Sequence, residues 1–223
     1  MPYLEFSGTL ARWPDLAEGA VVTLLISLAA MALGLIVGAL GAVARLSRHK
    51  ALRGLVGFYV EAIRNTPFLV QLYIIYFGLP AIGLRLSPVV ASIASMTIYV
   101  GAYLTETLRA GMEAVPDTQM QAASALGLSR LQCLRLVVLP QGLAGIYPAL
   151  VSQFVLLLMA SSIVSAVSTH ELTGAANDIQ GQTFRSFEAF LIVAMIYLGL
   201  TAAIRAGLFA LDKYFFAFRY AGR

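Results

Sequence analysis

Cysteine, histidine and charge are all scarce in this chain of 223 residues. It has one cysteine, Cys133, and two histidines, His49 and His170. A disulfide framework needs paired cysteines, and a structural zinc site typically needs four cysteine or histidine ligands, so the sequence predicts neither. Charged residues make up 12% of the chain, about half the share found in ordinary soluble domains. The composition therefore excludes a soluble domain held together by metal or disulfides.

Lysine is rarer still, since Lys50 and Lys213 are the two in the chain. Neither follows a G-x-x-x-x-G sequence, so the chain lacks the phosphate-binding loop of P-loop ATPases. No glycine-rich strand-to-helix turn suggests a dinucleotide either. We therefore expect no catalytic residue, no metal and no cofactor in this chain. Any step driven by ATP must use a separate subunit.

Apolar residues, in contrast, make up 60% of the sequence, and the mean hydropathy is +0.84. A transmembrane helix needs about 20 mostly apolar residues to cross a hydrocarbon core of about 30 Å. Five stretches qualify, at residues 21–44, 68–84, 89–112, 143–167 and 189–209. The sequence predicts an all-α integral membrane protein, a bundle of five transmembrane helices that forms a single domain over residues 1–223.

The positions of the basic residues predict how this bundle is oriented. Lys and Arg are retained on the cytoplasmic side of short loops, and here they crowd the first loop, the third loop and the C-terminal tail. These residues are Arg45, Arg48, Lys50, Arg53, Arg130, Arg135, Lys213, Arg219 and Arg223. We therefore expect the N-terminus outside and the C-terminus inside. The net charge of +4 is then explained by basic residues that orient the chain in the membrane and contact anionic lipid. No nucleic-acid partner is expected.

The third loop, at about 114–140, contains signals for a short helix. Thr118 and Gln121 fit the S/T-x-x-E/Q capping box that begins a helix. Gly127 suits the left-handed position just past a helix end. The spacing predicts a first helix at about 119–126.

The same loop predicts a second helix, because Ser129 and Gln132 repeat the capping box and Pro140 should interrupt the hydrogen-bond ladder. The first helix has only short side chains at 122–125, so another protein can approach its backbone closely. A helix of two turns is marginal in water without tertiary contacts. We expect it to dock into a partner, and a simple interfacial loop is the alternative.

This loop resembles the EAA loop of the membrane subunits of bacterial ABC importers. That motif reads E-A-A, three residues, Gly, and then a hydrophobic-x-Pro, and this chain has QAA at 121–123, Gly127 and VLP at 138–140. Gln121 replaces the usual Glu, which keeps the capping geometry and removes a carboxylate that could pair with an arginine of the partner. The resemblance implies that the loop couples the chain to an ATPase. The residues implied are Asp117, Thr118, Gln121, Ala122, Ala123, Gly127, Ser129 and Arg130.

Two further stretches resemble the permeases that import polar amino acids, of the histidine and glutamine permease type. EAIRNTPFLVQL at 61–72 is similar to E-x-x-R-G-T-P-L-L-V-Q-L, and GAYLTETLRAGMEAVP at 101–116 matches the same subfamily. Asn65 stands where glycine is usual, and the sequence MASS at 159–162 replaces a frequent Lys-Asp/Asn-Thr-Ser. The residues of the family signature are Glu61, Arg64, Asn65, Thr66 and Pro67.

The resemblance implies the fold and the partners of a type I ABC importer in the bacterial inner membrane. Two cytoplasmic ATP-binding subunits, which carry ATP and Mg, would drive the cycle. A periplasmic binding protein would deliver a polar amino acid or an amino-acid-like compound such as an opine. A five-helix bundle without an internal repeat has half of a symmetric gate, so a second permease subunit, identical or related, should complete the path.

Polar side chains inside apolar spans are the candidates for the substrate path, because they are costly unless they face a cavity or another helix. The candidates are Tyr99, Tyr103, Glu106, Gln153, Ser161 and Ser162. Structural alternatives compete with this interpretation. Glu106 and Arg109 lie three apart on one helix face and can pair with each other, serines can bond to backbone carbonyls, and Arg64 can stabilise a kink near Pro67.

Two other classes of protein are weaker matches. A secondary transporter needs membrane-embedded carboxylates that couple to ions, and Glu106 is the one acidic residue deep in a predicted span. An intramembrane enzyme needs a His, Ser/Lys or paired-Asp constellation at depth, and the predicted spans contain none. The secondary transporter remains the main alternative to an ABC importer.

Overall fold

The computed structural model describes residues 4–216, and every regular element within them is helical. Arg219 and Arg223, which contributed to the predicted orientation, lie outside these residues. The α-helices are α1 (Ser7–Leu10), α2 (Trp13–Arg45), α3 (Lys50–Arg64), α4 (Phe68–Tyr73), α5 (Pro88–Glu113), α6 (Asp117–Ala125), α7 (Arg130–Cys133), α8 (Leu139–Ala160), α9 (Leu172–Thr183) and α10 (Ser186–Phe215).

Four helical segments in the described part of the chain are long and apolar enough to cross a membrane. They are α2, α5, α10 and a continuous run at Arg130–Val167 that contains α7 and α8. The remaining predicted span, at 68–84, is a shorter helical run at Phe68–Ile82 that is bent by 109° against α3. The bundle thus has four long spans, and five when the bent pair counts as one.

Helix α3 lies in the segment that the sequence analysis treated as a loop. Its apolar residues recur at 52, 55, 56, 59 and 60, the spacing of an amphipathic helix. The Tyr59 hydroxyl donates a hydrogen bond of 2.7 Å to the carbonyl of Ile98 on α5. Helix α3 is therefore attached to the bundle along one face while Leu55 and Phe58 stay exposed.

The tightest helix contact joins α2 and α5, and glycines of α2 make it possible. A Cβ placed on Gly38 would lie 2.5 Å from the Leu104 Cβ and 3.1 Å from its backbone carbonyl carbon. Gly34 and Gly41 meet α5 side chains equally closely. Small residues allow helix backbones to approach in membranes, where packing rather than water exclusion drives association. Residues Ile26, Ala30 and Met31 of α2 continue this contact into the main core.

A second core lies at the opposite end from α6, around the unpredicted helix α9. Leu16 of α2, Leu172 and Ile179 of α9, and Ala189 and Val193 of α10 are all buried there. We call this end of the bundle the α9 end, and the end that carries α6 and α7 the α6 end. Helix α9 thus covers the starts of α2 and α10.

The prediction that Pro140 interrupts the loop helix is wrong. Pro140 lies in the first turn of α8, directly after a π-helical turn at Leu134–Val138. A π turn pairs residue i with residue i+5 and widens the helix, which relieves the clash between the proline ring and the preceding carbonyl. The helix therefore continues from α7 into α8, and then through a 3-10 segment at Ser161–Val167.

Candidate functional site

The loop with the EAA-like sequence forms two helices, as predicted, but the first begins differently. Helix α6 starts at Asp117, after Pro116 in an extended conformation (φ −61°, ψ 138°), and no side chain caps it. Thr118 and Gln121 lie inside the helix, so their predicted capping box is wrong. Pro116 sets the extended entry one residue before Asp117, and the Asp117 carboxylate then favours the positive end of the helix dipole.

The end of α6 and the start of α7 follow the prediction. Gly127 has φ +81°, its N–H donates to the Ser124 carbonyl at 3.0 Å, and the Leu128 N–H donates to the Ala123 carbonyl at 3.2 Å. These two bonds are the Schellman arrangement that closes a helix. The Ser129 capping box is confirmed, because the Ser129 N–H donates to Gln132 Oε1 at 2.8 Å and the Gln132 N–H donates to Ser129 Oγ at 3.4 Å. The turn between the two helices is thus fixed by hydrogen bonds.

The outer surface of this α6–α7 hairpin carries both polar and large apolar side chains and has no covering element in the described chain. Ala123 and Cys133 are buried against each other's helices, at 5% and 1% exposure. Leu126 and Leu131 are exposed by 83% and 63%. Exposed leucines beside short side chains such as Ala122 are typical of a surface that another protein covers.

The predicted path residue Glu106 is part of a charge cluster at the α6 ends of α2 and α5. The Arg109 Nε lies 3.0 Å from Glu106 Oε1, and the guanidinium also contacts Glu113. Nη2 of Arg45 on α2 lies 3.9 Å from Glu106 Oε2. The structure therefore contains the Glu106–Arg109 ion pair that the sequence left as an alternative, and it adds Arg45 to it.

Tyr99 and Tyr103 lie on α5, two turns and one turn before Glu106, and belong to a group of packed aromatic rings. Their ring centroids are 4.9 Å apart, and Tyr99 lies 5.1 Å from the Phe68 ring. The guanidinium carbon of Arg64 lies 5.3 Å from the centroid of the Tyr103 ring, which is a cation–π distance. These rings pack α4 and the end of α3 against α5.

The family signature residues form the bend between α3 and α4. The Asn65 side chain donates to the Glu61 carbonyl at 2.8 Å, and the Thr66 hydroxyl donates to the Ala62 carbonyl at 2.8 Å. Pro67 then disfavours helical geometry in the residue before it. Asn65 has φ −100°, so the position does not require the usual glycine.

The signature residues Glu61, Arg64 and Asn65 precede the predicted span at 68–84 and do not enter it. They belong to the last turn and the C-terminal cap of α3, because the chain turns by 109° after them. The buried Gln71 of α4 donates from Nε2 to the carbonyls of Ile63 and Thr66, at 2.8 and 2.9 Å. The bend is therefore held from both sides.

The remaining path candidates lie on or near α8, away from the tyrosines. Ser162 lines a groove of about 400 Å³ against α10, together with Tyr197 and Thr201. Ser161 is fully buried, and its hydroxyl donates to the Leu158 carbonyl at 2.7 Å. Gln153 is half-buried on α8. Three of the six predicted residues thus lie on α5, and the other three lie on α8 or in the 3-10 segment that follows it.

A second groove follows the same pair of helices toward the α6 end. It has a volume of about 490 Å³ and is lined by Ser152 of α8 and Arg205 of α10, among others. Arg205 was not among the predicted path residues, although its charge inside an apolar stretch was a signal. Arg205 is the one charged residue in the stretch 189–209.

Glu171 is a second residue that the sequence analysis missed. It is completely buried, at 0% exposure, and caps α9 by accepting a hydrogen bond of 2.9 Å from the Gly174 N–H. Its other oxygen accepts hydrogen bonds from the hydroxyls of Thr23 on α2 and Tyr197 on α10, at 3.1 and 2.7 Å. Glu171 thus links three helices at the α9 end.

Comparison with known proteins identifies the family of this bundle. A family model described as the binding-protein-dependent transport system inner membrane component matches residues 30–215. The chain belongs to this family. It is therefore the multi-pass membrane component of a transport system that works with a binding protein, and the predicted resemblance to ABC importer membrane subunits is confirmed.

Individual relatives of this transport component are similar over most of their length. The probable glutamine ABC transporter permease protein GlnM of Bacillus subtilis is 37% identical over 88% of this chain and 91% of its own. The arginine transport system permease protein ArtQ of the same organism is 31% identical over 87% and 89%. The crystal structure of an amino acid ABC transporter with histidines has a TM-score of 0.88 at 33% identity, over 95% of this chain and 99% of the other. The predicted fold, that of a type I ABC importer membrane subunit, is confirmed.

Proposed function

We propose that this chain is the permease subunit of an ATP-driven importer of polar amino acids or related compounds such as opines, in the bacterial inner membrane. The observation that carries the proposal is the α6–α7 hairpin. Its EAA-like sequence at 121–127 forms the second half of α6 and the hydrogen-bonded turn that ends it, with exposed apolar surface around Leu126. The substrate class is supported by the relatives, which are named for glutamine, arginine and amino acid transport.

The hairpin is the proposed docking site for the ATP-binding subunits. Asp117, Thr118, Gln121 and Ala122 are all exposed on α6, as are Ser129 and Arg130 at the start of α7. Ala123 and Gly127 have a different role, since Ala123 anchors α6 on α7 and Gly127 shapes its end. A rigid, capped helix can enter a groove on a partner without losing much conformational freedom on binding.

The assembly we propose contains two ATP-binding subunits, which bind ATP and Mg, and a second permease subunit that is identical or related. A periplasmic binding protein delivers the substrate at the α9 end. The N-terminus then lies outside and the α6 end lies in the cytoplasm, as the crowding of Arg45, Arg48, Lys50 and Arg53 supports. The bilayer supplies the remaining partner, lipid, for the exposed apolar faces of α2 and α10.

Within the predicted substrate path, the residues support different roles. Ser162 faces a groove and is available to a solute. Glu106, Tyr99 and Tyr103 already pair or stack with neighbours, which supports a structural role beside the path. Ser161 is buried with its hydroxyl bonded to the Leu158 carbonyl, which supports a structural role, and Gln153 is half-buried on α8.

The direct test is whether the purified chain stimulates the ATPase activity of its ATP-binding subunits in a lipid bilayer. The expected result is co-purification of the subunits and an ATPase rate that rises when the loaded binding protein is added. A variant with Leu126→Glu should lose co-purification while it still inserts into the membrane, because Leu126 is exposed and its change removes no internal contact. Phe184→Glu is the matched control, since Phe184 is 88% exposed at the α9 end.

Uptake measurements distinguish the main alternative, a secondary transporter. An importer of the proposed kind stops when ATP is removed and continues when ion gradients collapse. Amino acid uptake that needs an ion gradient and no ATP-binding subunit would show that the proposal is wrong.

A further inference from the structure

Arg205 is an exposed cation on a helix that otherwise carries no charged residue from 189 to 211. Helix α10 is 30 residues long, or about 45 Å, which exceeds a hydrocarbon core of about 30 Å. If the core is centred on the helix, Arg205 lies about 7 Å from the core centre and about 8 Å inside its edge. A charge at that depth is costly unless it meets a counter-charge or water.

The described residues contain no counter-charge for Arg205. The ion pairs among residues 4–216 involve Arg12, Arg45, Arg109 and Arg185, and leave Arg205 out. Asp212 lines the same groove two turns further on, but it is 7% exposed and already engaged in its own contacts. The positive charge of Arg205 is thus available to an anion from outside the chain.

The surroundings of Arg205 indicate a solute rather than a lipid. Thr201, one turn earlier on the same helix face, lines the groove that contains Ser162. Ser152 lines the groove of Arg205 from the facing helix α8, and its hydroxyl donates to the Pro148 carbonyl at 3.0 Å. The hydroxyls of Ser152, Ser162 and Thr201 form a narrow polar strip near the cation, in two grooves whose lining is otherwise mostly apolar. A helix face that meets only lipid tails has no need of such a strip.

The proposed function supplies an anion of the right kind. An α-amino acid carries a carboxylate, and a guanidinium binds a carboxylate with two parallel hydrogen bonds in a fork geometry. A groove of about 490 Å³ lies within the range of small-molecule sites. The wide groove and the polar strip fit a solute that moves between the α9 end and the α6 end.

We propose that Arg205 binds the α-carboxylate of the transported amino acid in the groove between α8 and α10, with Ser152 beside it. This inference rests on the proposed function and places a substrate site on α10, a helix that held none of the predicted path residues. The single positive charge also disfavours substrates with basic side chains relative to neutral ones, because like charges repel.

The test uses the complete membrane complex without the binding protein, so that binding by this subunit is measured alone. The complex is reconstituted in nanodiscs of neutral phosphatidylcholine, and binding of labelled L-glutamine is measured for wild type, Arg205→Gln, Arg205→Lys and the control Arg85→Gln. Arg85 is an exposed arginine in the turn before α5. We expect Arg205→Gln to weaken binding at least tenfold, Arg205→Lys to recover part of it, and Arg85→Gln to match wild type.

Further arms separate the carboxylate from other anions. Glutamine α-amide, which lacks the carboxylate, should compete poorly in wild type and equally poorly in Arg205→Gln. Equal glutamine binding by wild type and Arg205→Gln overturns the inference, as does the absence of any glutamine binding to a wild-type complex that transports it. If Arg205→Gln weakens glutamine binding only in nanodiscs that contain anionic lipid, Arg205 binds a lipid phosphate and the inference is overturned. If the complex fails to assemble with Arg205→Gln but assembles with Arg205→Lys, Arg205 pairs with an acidic residue of the second permease subunit, and the inference is overturned.

The proposed function and this inference fail in different ways. A wild-type chain that does not bind ATP-binding subunits contradicts the proposed function. ATP-dependent uptake with unchanged binding by Arg205→Gln leaves the importer in place and removes only the Arg205 site.

Discussion

The hydroxyl of Tyr197 donates a hydrogen bond of 2.7 Å to the carboxylate of Glu171, which no solvent reaches. The same carboxylate accepts from Thr23, whose hydroxyl in turn accepts from the Leu172 N–H at 3.1 Å. One buried acid therefore holds the starts of α2 and α9 and the middle of α10 in register. Tyr197 also lines the groove of Ser162, so this network fixes one wall of the proposed path.

Replacing Glu171 should destabilise the α9 end. Glu171→Ala leaves the Thr23 hydroxyl and the Gly174 N–H without this acceptor, at about 1–3 kcal/mol for each buried group. The Tyr197 hydroxyl then keeps its contact with Thr173 at 3.1 Å. Glu171→Gln keeps one acceptor oxygen and should fall between alanine and wild type. The rate at which a thiol dye reacts with the buried Cys133 during heating measures unfolding.

Glu18→Ala is the matched control for Glu171, because Glu18 is an exposed acid at the same end of the bundle. It should unfold at the wild-type temperature. If Glu171→Ala also unfolds there, the carboxylate network does not stabilise the α9 end.

Gly127→Val should impair coupling without impairing insertion. Gly127 has φ +81° and open space around it, so the cost is backbone strain of about 1–2 kcal/mol and not a clash. The end of α6 then shifts, and we expect weaker co-purification of the ATP-binding subunits and slower uptake. Asn tolerates the left-handed conformation, so Gly127→Asn should restore most of both. Normal uptake by Gly127→Val would contradict the proposed role of this turn.

Gly38→Ala should destabilise the contact between α2 and α5. The added methyl would lie 2.5 Å from the Leu104 Cβ, which forces the helices apart and costs about 1–3 kcal/mol. Gly199→Ala is the control, because Gly199 is exposed on α10 with nothing within 4 Å, and alanine there gains helix propensity of about 1 kcal/mol. The unfolding temperature should fall for Gly38→Ala and rise for Gly199→Ala. A shift of the same sign in both would show that close approach at Gly38 is unimportant.

The proposed orientation predicts which engineered thiols react from outside. Ser7 and Arg48 are exposed at opposite ends of the bundle. In a Cys133→Ser background, Ser7→Cys should react with an impermeant maleimide in intact cells, and Arg48→Cys should react only after lysis. Labelling of Arg48→Cys in intact cells would reverse the orientation and move the proposed docking hairpin to the wrong side.

Long apolar runs were easy to predict, and the short or amphipathic helices were not. The runs at 21–44, 89–112 and 189–209 each lie inside an observed helix. Helix α3 was not predicted because its apolar residues recur along one face without forming a continuous run. Helix α9 was not predicted because most of its residues are polar or small, and Leu172 and Ile179 are its two large apolar residues. Its stability comes from packing on α2 and α10.

Capping and turn residues in the sequence predicted most of the α6–α7 hairpin. They do not predict contacts between residues that are distant in the sequence. Gly127 and Ser129 act over three or four neighbouring residues, so their roles follow from spacing alone. Thr118 failed because Pro116 starts α6 earlier. Glu171 is paired with Thr23, 148 residues away, and no local pattern reports such a partner. Arg205 is intermediate, since its isolated charge was visible in the sequence while its groove was not.

The unbroken helical run at Arg130–Val167 joins the two ends of the bundle mechanically. Its 38 residues make a rod of about 57 Å, so a tilt of about 5° at the Ser129 turn displaces the far tip by about 5 Å. The π-helical turn at Leu134–Val138 is the wide, less regular joint near its base. A small push on the hairpin therefore reaches the Ser162 groove as a large sideways movement, and no chain of intermediate contacts is needed to carry it.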